Sequence, residues 1–169
     1  MSGKGTPATK AVAAAGVAHT IHEYEHEPAA ASFGSEAAAA LGVEPSRVHK
    51  TLLANVGRTG RSELVVAVVP VDAHLDLKAL AAALGTKKAD MAKPADAERT
   101  TGYVVGGISP LGQRKQLTTV IDERAAQHAT VFVSAGRRGL EIELAASDLA
   151  ALTGATFAPI ATRAEKPGD

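Results

Sequence analysis

At 169 residues and 17.2 kDa the chain is of single-domain size, and a domain this long buries roughly 70% of its unfolded surface without needing a staple. Its 18 basic and 18 acidic residues cancel, which excludes a uniformly basic nucleic-acid or membrane-surface binder. The absence of cysteine excludes disulfides, thiolate nucleophiles, Fe–S clusters and Cys-ligated zinc.

Hydrophobic residues make up 46% of the chain and aromatics 3%, so the core must be Ala, Val, Leu and Ile, with few rings to stack a single strand of bases. The apolar run Leu64–Val69 is far short of the roughly 20 residues of a membrane helix. Met1-Ser2-Gly3-Lys4-Gly5 leads into no secretory apolar region, so a soluble cytoplasmic protein is expected.

In chain order, Thr6-Pro7 opens a helix with Thr as N-cap and Pro at the first position, and Gly16 ends it. Residues 35–41 read as a second helix closed by Gly42. The β-branched runs Val48–Val56 and Glu63–Val69 flank Gly57-Arg58-Thr59-Gly60 and predict a hairpin. Asp76 caps a helix over 77–84 that Gly85 stops, and Pro94–Thr100 is a short helical piece. Strands are predicted at Leu117–Ile121, Thr130–Ser134 and Leu140–Leu144, then a helix near 147–152 and a last strand near 155–161. The tail 164–169 is expected to fray. Short strands mixed with short helices argue for one α/β domain, a mixed sheet with helices packed on it.

Net charge runs +2 over residues 1–10, −5 over 11–46, +5 over 47–115 and −2 over 116–169. The basic middle is where an anionic ligand would sit, although most of its Lys and Arg read individually as solvated surface.

His22-Glu23-Tyr24-Glu25-His26 matches the H-E-x-x-H pattern of zinc proteases. That chemistry needs a helix, where positions i and i+4 share one face about 6 Å apart. On a strand the two histidines stand about 13 Å apart. Thr20, Ile21 and Tyr24 favour a strand, so His22 and His26 are expected to be solvent-facing and to share no metal.

Three other segments carry more. A lysine in the apolar strand Val48-His49-Lys50-Thr51-Leu52-Leu53 costs desolvation unless it meets an anion, or else it guards a sheet edge. Residues 102–112 hold four glycines and Pro110, a composition that lets backbone groups approach a ligand or simply makes a surface turn. Gly136-Arg137-Arg138-Gly139 is a tight basic turn entering a strand, and its arginines would meet the phosphate of a ligand or form a solvated hairpin tip. On residues alone the reading stops at a pocket for a phosphorylated ligand.

At these residues, with Phe33-Gly34, Lys50-Thr51-Leu52-Leu53, Thr101-Gly102-Tyr103, Gly106-Gly107-Ile108-Ser109-Pro110-Leu111-Gly112 and Gly136–Leu140, the sequence resembles the YbaK/EbsC family. These are relatives of the editing domain of prolyl-tRNA synthetases. The resemblance runs from Thr6 to about Ile160 and implies a single domain over 1–163 with a curved, mostly antiparallel mixed sheet ringed by short helices. It implies trans-editing, the removal of a wrong amino acid from tRNA, and for the YbaK branch the removal of cysteine from Cys-tRNA(Pro). Lys50 matches the family lysine beside the terminal adenosine and the scissile ester. Tyr24, Phe33 and Thr51 match pocket positions, Gly106, Gly107, Ser109 and Pro110 the Gly-x-x-x-Pro loop, and Glu141 an acidic-or-polar position whose type varies. The editing histidine of the synthetase-borne domains has no counterpart here.

No Ser-His-Asp set is evident, and the resemblance implies attack by the substrate's own thiol, with Lys50 and the Gly106 loop stabilising charge. No cofactor and no metal are expected. The expected partners are misacylated tRNA at its acceptor end and prolyl-tRNA synthetase in a ternary complex, with no membrane and no DNA. The rival readings are a water-using deacylase for alanyl or seryl groups and a non-catalytic tRNA- or nucleotide-binding module.

Overall fold

The structure, a computed structural model, describes residues 5–25, 33–58 and 61–163. Helix α1 (Pro7–Ala15) starts as its sequence dictates: the Thr6 hydroxyl accepts from the Thr9 N–H (3.1 Å) and the Thr6 N–H donates to the Thr9 hydroxyl (2.8 Å). Strand β1 (His19–Glu23), helix α2 (Phe33–Leu41) and a 3-10 turn at Pro45–Arg47 precede the long hairpin of β2 (His49–Arg58) and β3 (Arg61–Pro70). Next come β4 (Ala73–Leu75), α3 (Leu77–Ala83), β5 (Ala89–Met91), α4 (Pro94–Thr101) and β6 (Thr119–Asp122). After a 3-10 turn at Glu123–Gln127 the chain ends in β7 (Val131–Ser134), β8 (Leu140–Leu144), α5 (Ala146–Thr153), β9 (Thr156–Ala158) and β10 (Ala161–Arg163).

The architecture is the expected mixed α/β domain, rich in antiparallel pairs. Its strands form a five-stranded sheet ordered β5-β2-β3-β6-β9, a three-stranded sheet β1-β8-β7 and the pair β10-β4. β2 pairs antiparallel with β3 and β5, whereas β3–β6 and β6–β9 are parallel. Leu53, Val66, Val68, Ile121 and Val133 join Leu140, Ile142 and Leu144 in one core. A second core forms on the opposite face of the hairpin, where Ala54, Val65, Ala67 and Val69 meet Leu80 of α3.

The predicted last strand, 155–161, is two short strands in different sheets. Pro159 has no N–H to continue a ladder. The buried Asp122 carboxylate takes the N–H groups of Ile160 and Ala161, each at 3.1 Å, and turns the chain there. The three-residue strands β4 and β5 were not anticipated. His22 lies on a strand as expected, but it is only partly solvent-facing: its ring packs 5.2 Å from that of Phe132, and its Nε2 meets Glu143 Oε1 at 2.8 Å. His26 and the tail 164–169 lie outside the described residues.

Candidate active site

The two larger sheets meet at a fork. Among the described residues one parallel bridge, Val48–Phe132, ties the chain just ahead of β2 to β7. Beyond it β7 runs on with β8, while β2 is not covered on that side until β5 joins at Ala54. Among the described residues, 50–52 therefore form a bare strand edge. The Leu53 carbonyl accepts from the Ala92 N–H on this side (3.0 Å), so by strand alternation the N–H and C=O of Thr51 also face the fork.

A cavity of about 380 Å³ fills the fork, a volume in the roughly 300–1,000 Å³ range of small-molecule sites. Lys50, Thr51 and Leu52 line one prong, Tyr24, Ser134 and Glu141 the other, and Gly106, Ile108 and the start of α4 complete the wall. Successive side chains on a strand leave opposite faces. Both Lys50 and Thr51 line the cavity because it wraps the edge of β2.

Of the residues singled out in the sequence, Tyr24, Lys50, Thr51, Gly106 and Glu141 converge on this cavity. Gly107, Ser109 and Pro110 do not line it; they are buried behind the wall. The Ser109 hydroxyl accepts from the Leu111 N–H (3.2 Å). A Cβ at Gly107 would stand 2.7 Å from Arg137 Cα, so this glycine lets the loop lie directly on the basic turn. Gly106 has φ 93°, a conformation that L side chains rarely adopt. The loop is held from several sides: the Tyr103 hydroxyl donates to the Leu111 carbonyl (2.7 Å) and Arg138 to the Val105 carbonyl (2.9 Å). Arg137 and Arg138 are exposed on the turn, outside the cavity wall. Phe33 opens α2, but its side chain lies outside the described residues.

Burial sets the electrostatics. It lowers the Lys50 ammonium below the ordinary lysine range, with Asp72 pulling the other way. It pushes the Glu141 carboxyl up to about 8, and raises Tyr24, whose phenol also feels Glu141. Sequence reasoning passed over His49 and Ser134, both of which line the cavity. His49 is driven down to about 4 by burial; its Nδ1 lies 3.2 Å from the Arg47 carbonyl, to which it can only donate. Among the described residues, its Nε2 and the Thr51 hydroxyl are both buried without a hydrogen-bond partner. The available signal for His49 was a second polar side chain beside Lys50 in an apolar strand.

The profile of the aminoacyl-tRNA editing domain family matches residues 26–152. The chain belongs to that family. It is 44% identical over 142 residues to the Enterococcus faecalis protein named as the Cys-tRNA(Pro)/Cys-tRNA(Cys) deacylase EbsC, a match covering 83% of this chain and 85% of that one. A shorter match, 34% over 73 residues, links it to the Escherichia coli protein named multifunctional Ser/Thr-tRNA deacylase ProXp-y, and spans 43% of this chain and 44% of that one. A crystal structure described as a trans-editing enzyme for prolyl tRNA synthetase superposes with a TM-score of 0.81 at 24% identity, covering 96% of this chain and 99% of that one, which is a likeness of fold. No described helix of this editing domain is long and apolar enough to cross a membrane.

Proposed function

We propose that this protein is an aminoacyl-tRNA deacylase that removes cysteine wrongly attached to tRNA(Pro), with 1–163 as the editing unit acting in the cytoplasm. The observation that carries this is the convergence of Lys50, Thr51, Tyr24, Gly106 and Glu141 on one cavity, in a chain 44% identical to a named Cys-tRNA(Pro) deacylase. The acceptor end enters the fork, and the ester lies along the bare edge of β2. Lys50 stands where negative charge develops, half-buried and so stronger than it would be in water.

Lys50 and the Thr51 main-chain groups position the ester, and the substrate thiol supplies the nucleophile. Sulfur attacks the ester carbonyl. A C–S bond forms as the C–O bond to ribose breaks, the thiol proton passes to the ribose oxygen, and water later opens the thiolactone. Ser109 has no place in this chemistry, because its hydroxyl is buried behind the wall and engaged by Leu111. Arg137 and Arg138, exposed on the adjoining turn, take tRNA phosphates. With few aromatic platforms and no net charge, the domain contacts mainly the acceptor end, and prolyl-tRNA synthetase in a ternary complex supplies recognition of the rest of the tRNA.

The match to a Ser/Thr-tRNA deacylase favours a second reading, water attack on hydroxyl-bearing acyl groups. Release of amino acid from Cys-, Ala-, Ser- and Pro-tRNA(Pro) separates the two. Substrate-thiol attack predicts fast release of cysteine and far slower release of serine, because a hydroxyl is a much poorer nucleophile at neutral pH. Equal rates for cysteine and serine would replace the thiol with activated water. No release from any of the four would end the deacylase reading.

A further inference from the structure

Two glutamates of β8, Glu141 and Glu143, project from the same sheet face but have opposite surroundings. Glu143 takes the neighbouring donors: His22 Nε2 at 2.8 Å, Arg47 Nη2 at 3.3 Å and the Thr130 hydroxyl at 2.5 Å. Glu141 is 5% exposed, and among the described residues no hydrogen bond or ion pair reaches its carboxyl. The groups that face or surround it are Tyr24 just after β1, Ser134 from β7, uncharged Gly106 and Val105 from the loop, and Lys50 across the fork. Glu36 of α2 bears on Tyr24. Among the described residues no ion pair joins Lys50 to Glu141, and the acidic neighbour felt by Lys50 is Asp72.

The cavity thus has an acid with no counter-ion on one prong and a lysine on the other. An aminoacyl ester on a nucleotide matches that order, with an α-ammonium on the acyl side and an ester and phosphates beyond it. We propose that Glu141 is the seat of the substrate's α-ammonium group, and that seating this cation expels the carboxyl's proton to solvent. The proposal rests on the deacylase reading and deepens it by naming which end of the substrate lies where. A buried carboxyl is neutral while empty and ionises when a cation arrives to pair with it. The site therefore selects a free amino group, and an acyl group without one leaves Glu141 unpaired.

Two non-hydrolysable probes test this by calorimetry at pH 6.5 in buffers of differing ionisation enthalpy. One is 3′-deoxy-3′-(cysteinylamino)adenosine; the other carries 3-mercaptopropionyl in place of cysteinyl, so it keeps the thiol and lacks only the α-amino group. The wild-type protein should bind the first roughly 10²-fold more tightly, the scale of breaking a buried charge pair, and release close to one proton with it and none with the second. Glu141→Gln should bind both with similar affinity and release no proton. Equal wild-type affinities, or equal proton release, would overturn the seat while leaving the deacylase reading standing. Binding of neither probe would remove the aminoacyl-adenosine reading and the seat with it.

Discussion

Lys50 is the residue on which sequence and structure converge most directly. A lysine in an apolar strand signals an unmet electrostatic need, and the fork supplies its setting, a bare edge facing a cavity. Ser109 is the instructive contrast. Its place in the Gly106–Pro110 motif made it a candidate, yet the motif's inner residues build the wall from behind. Ser109→Ala should therefore leave deacylation near the wild-type rate while lowering stability by about 1 kcal/mol through the lost Leu111 bond, read as a shift in denaturation midpoint. Asp122 has no part in the cavity, yet its buried carboxylate holds two backbone N–H groups at the β9–β10 corner. Asp122→Ala should cost on the order of 3 kcal/mol in chemical denaturation, because both donors are left unpaired. Glu141 could be placed in the pocket from the sequence, but its lack of a counter-ion could not. That follows from Glu143 capturing the nearby donors, a fact of three-dimensional neighbourhood.

At the scale of elements, what was legible was what local chemistry specifies. The Thr6-Pro7 start of α1, the Asp76 cap of α3 and the β2–β3 hairpin are written in caps, turn residues and β-branched runs. The short strands β4 and β5 carry no such signal; each exists because a neighbouring strand offers it an edge. The fork was equally invisible, since it arises from where β7 docks on β2 and no local pattern encodes a single long-range bridge. The loop after α4 is fixed by close approach as well as by backbone freedom. Gly107→Ala would drive a methyl into the Arg137 backbone, so it should cost roughly 1–3 kcal/mol in thermal or chemical unfolding and weaken substrate binding by displacing Gly106. Gly57→Ala, which meets open space, is the matched control and should behave as wild type in the substrate assay.

Across the whole molecule two buried groups set opposing pH dependences. His49 titrates near 4 when folded and 6.5 when unfolded, so its contribution falls as pH drops from 6.5 towards 4. Glu141 runs the other way: its folded value of about 8 lies above the ordinary 4.5, so its contribution is full below 4.5 and is lost as pH rises to about 8. The two slopes nearly cancel between 4.5 and 6.5. From 6.5 to 8 Glu141 acts alone, and stability should fall by up to about 1.4 kcal/mol per pH unit. Denaturant titrations at pH 6.5 and 8 check this, and Glu141→Gln should flatten the difference. That Lys50 organises the fork for deacylation is tested by single-turnover release of cysteine from Cys-tRNA(Pro) by wild type and Lys50→Ala. Loss of one pre-organised charge at the developing oxyanion predicts a rate lower by roughly 10²–10³-fold in a variant that remains folded. Equal rates for the two proteins would contradict it.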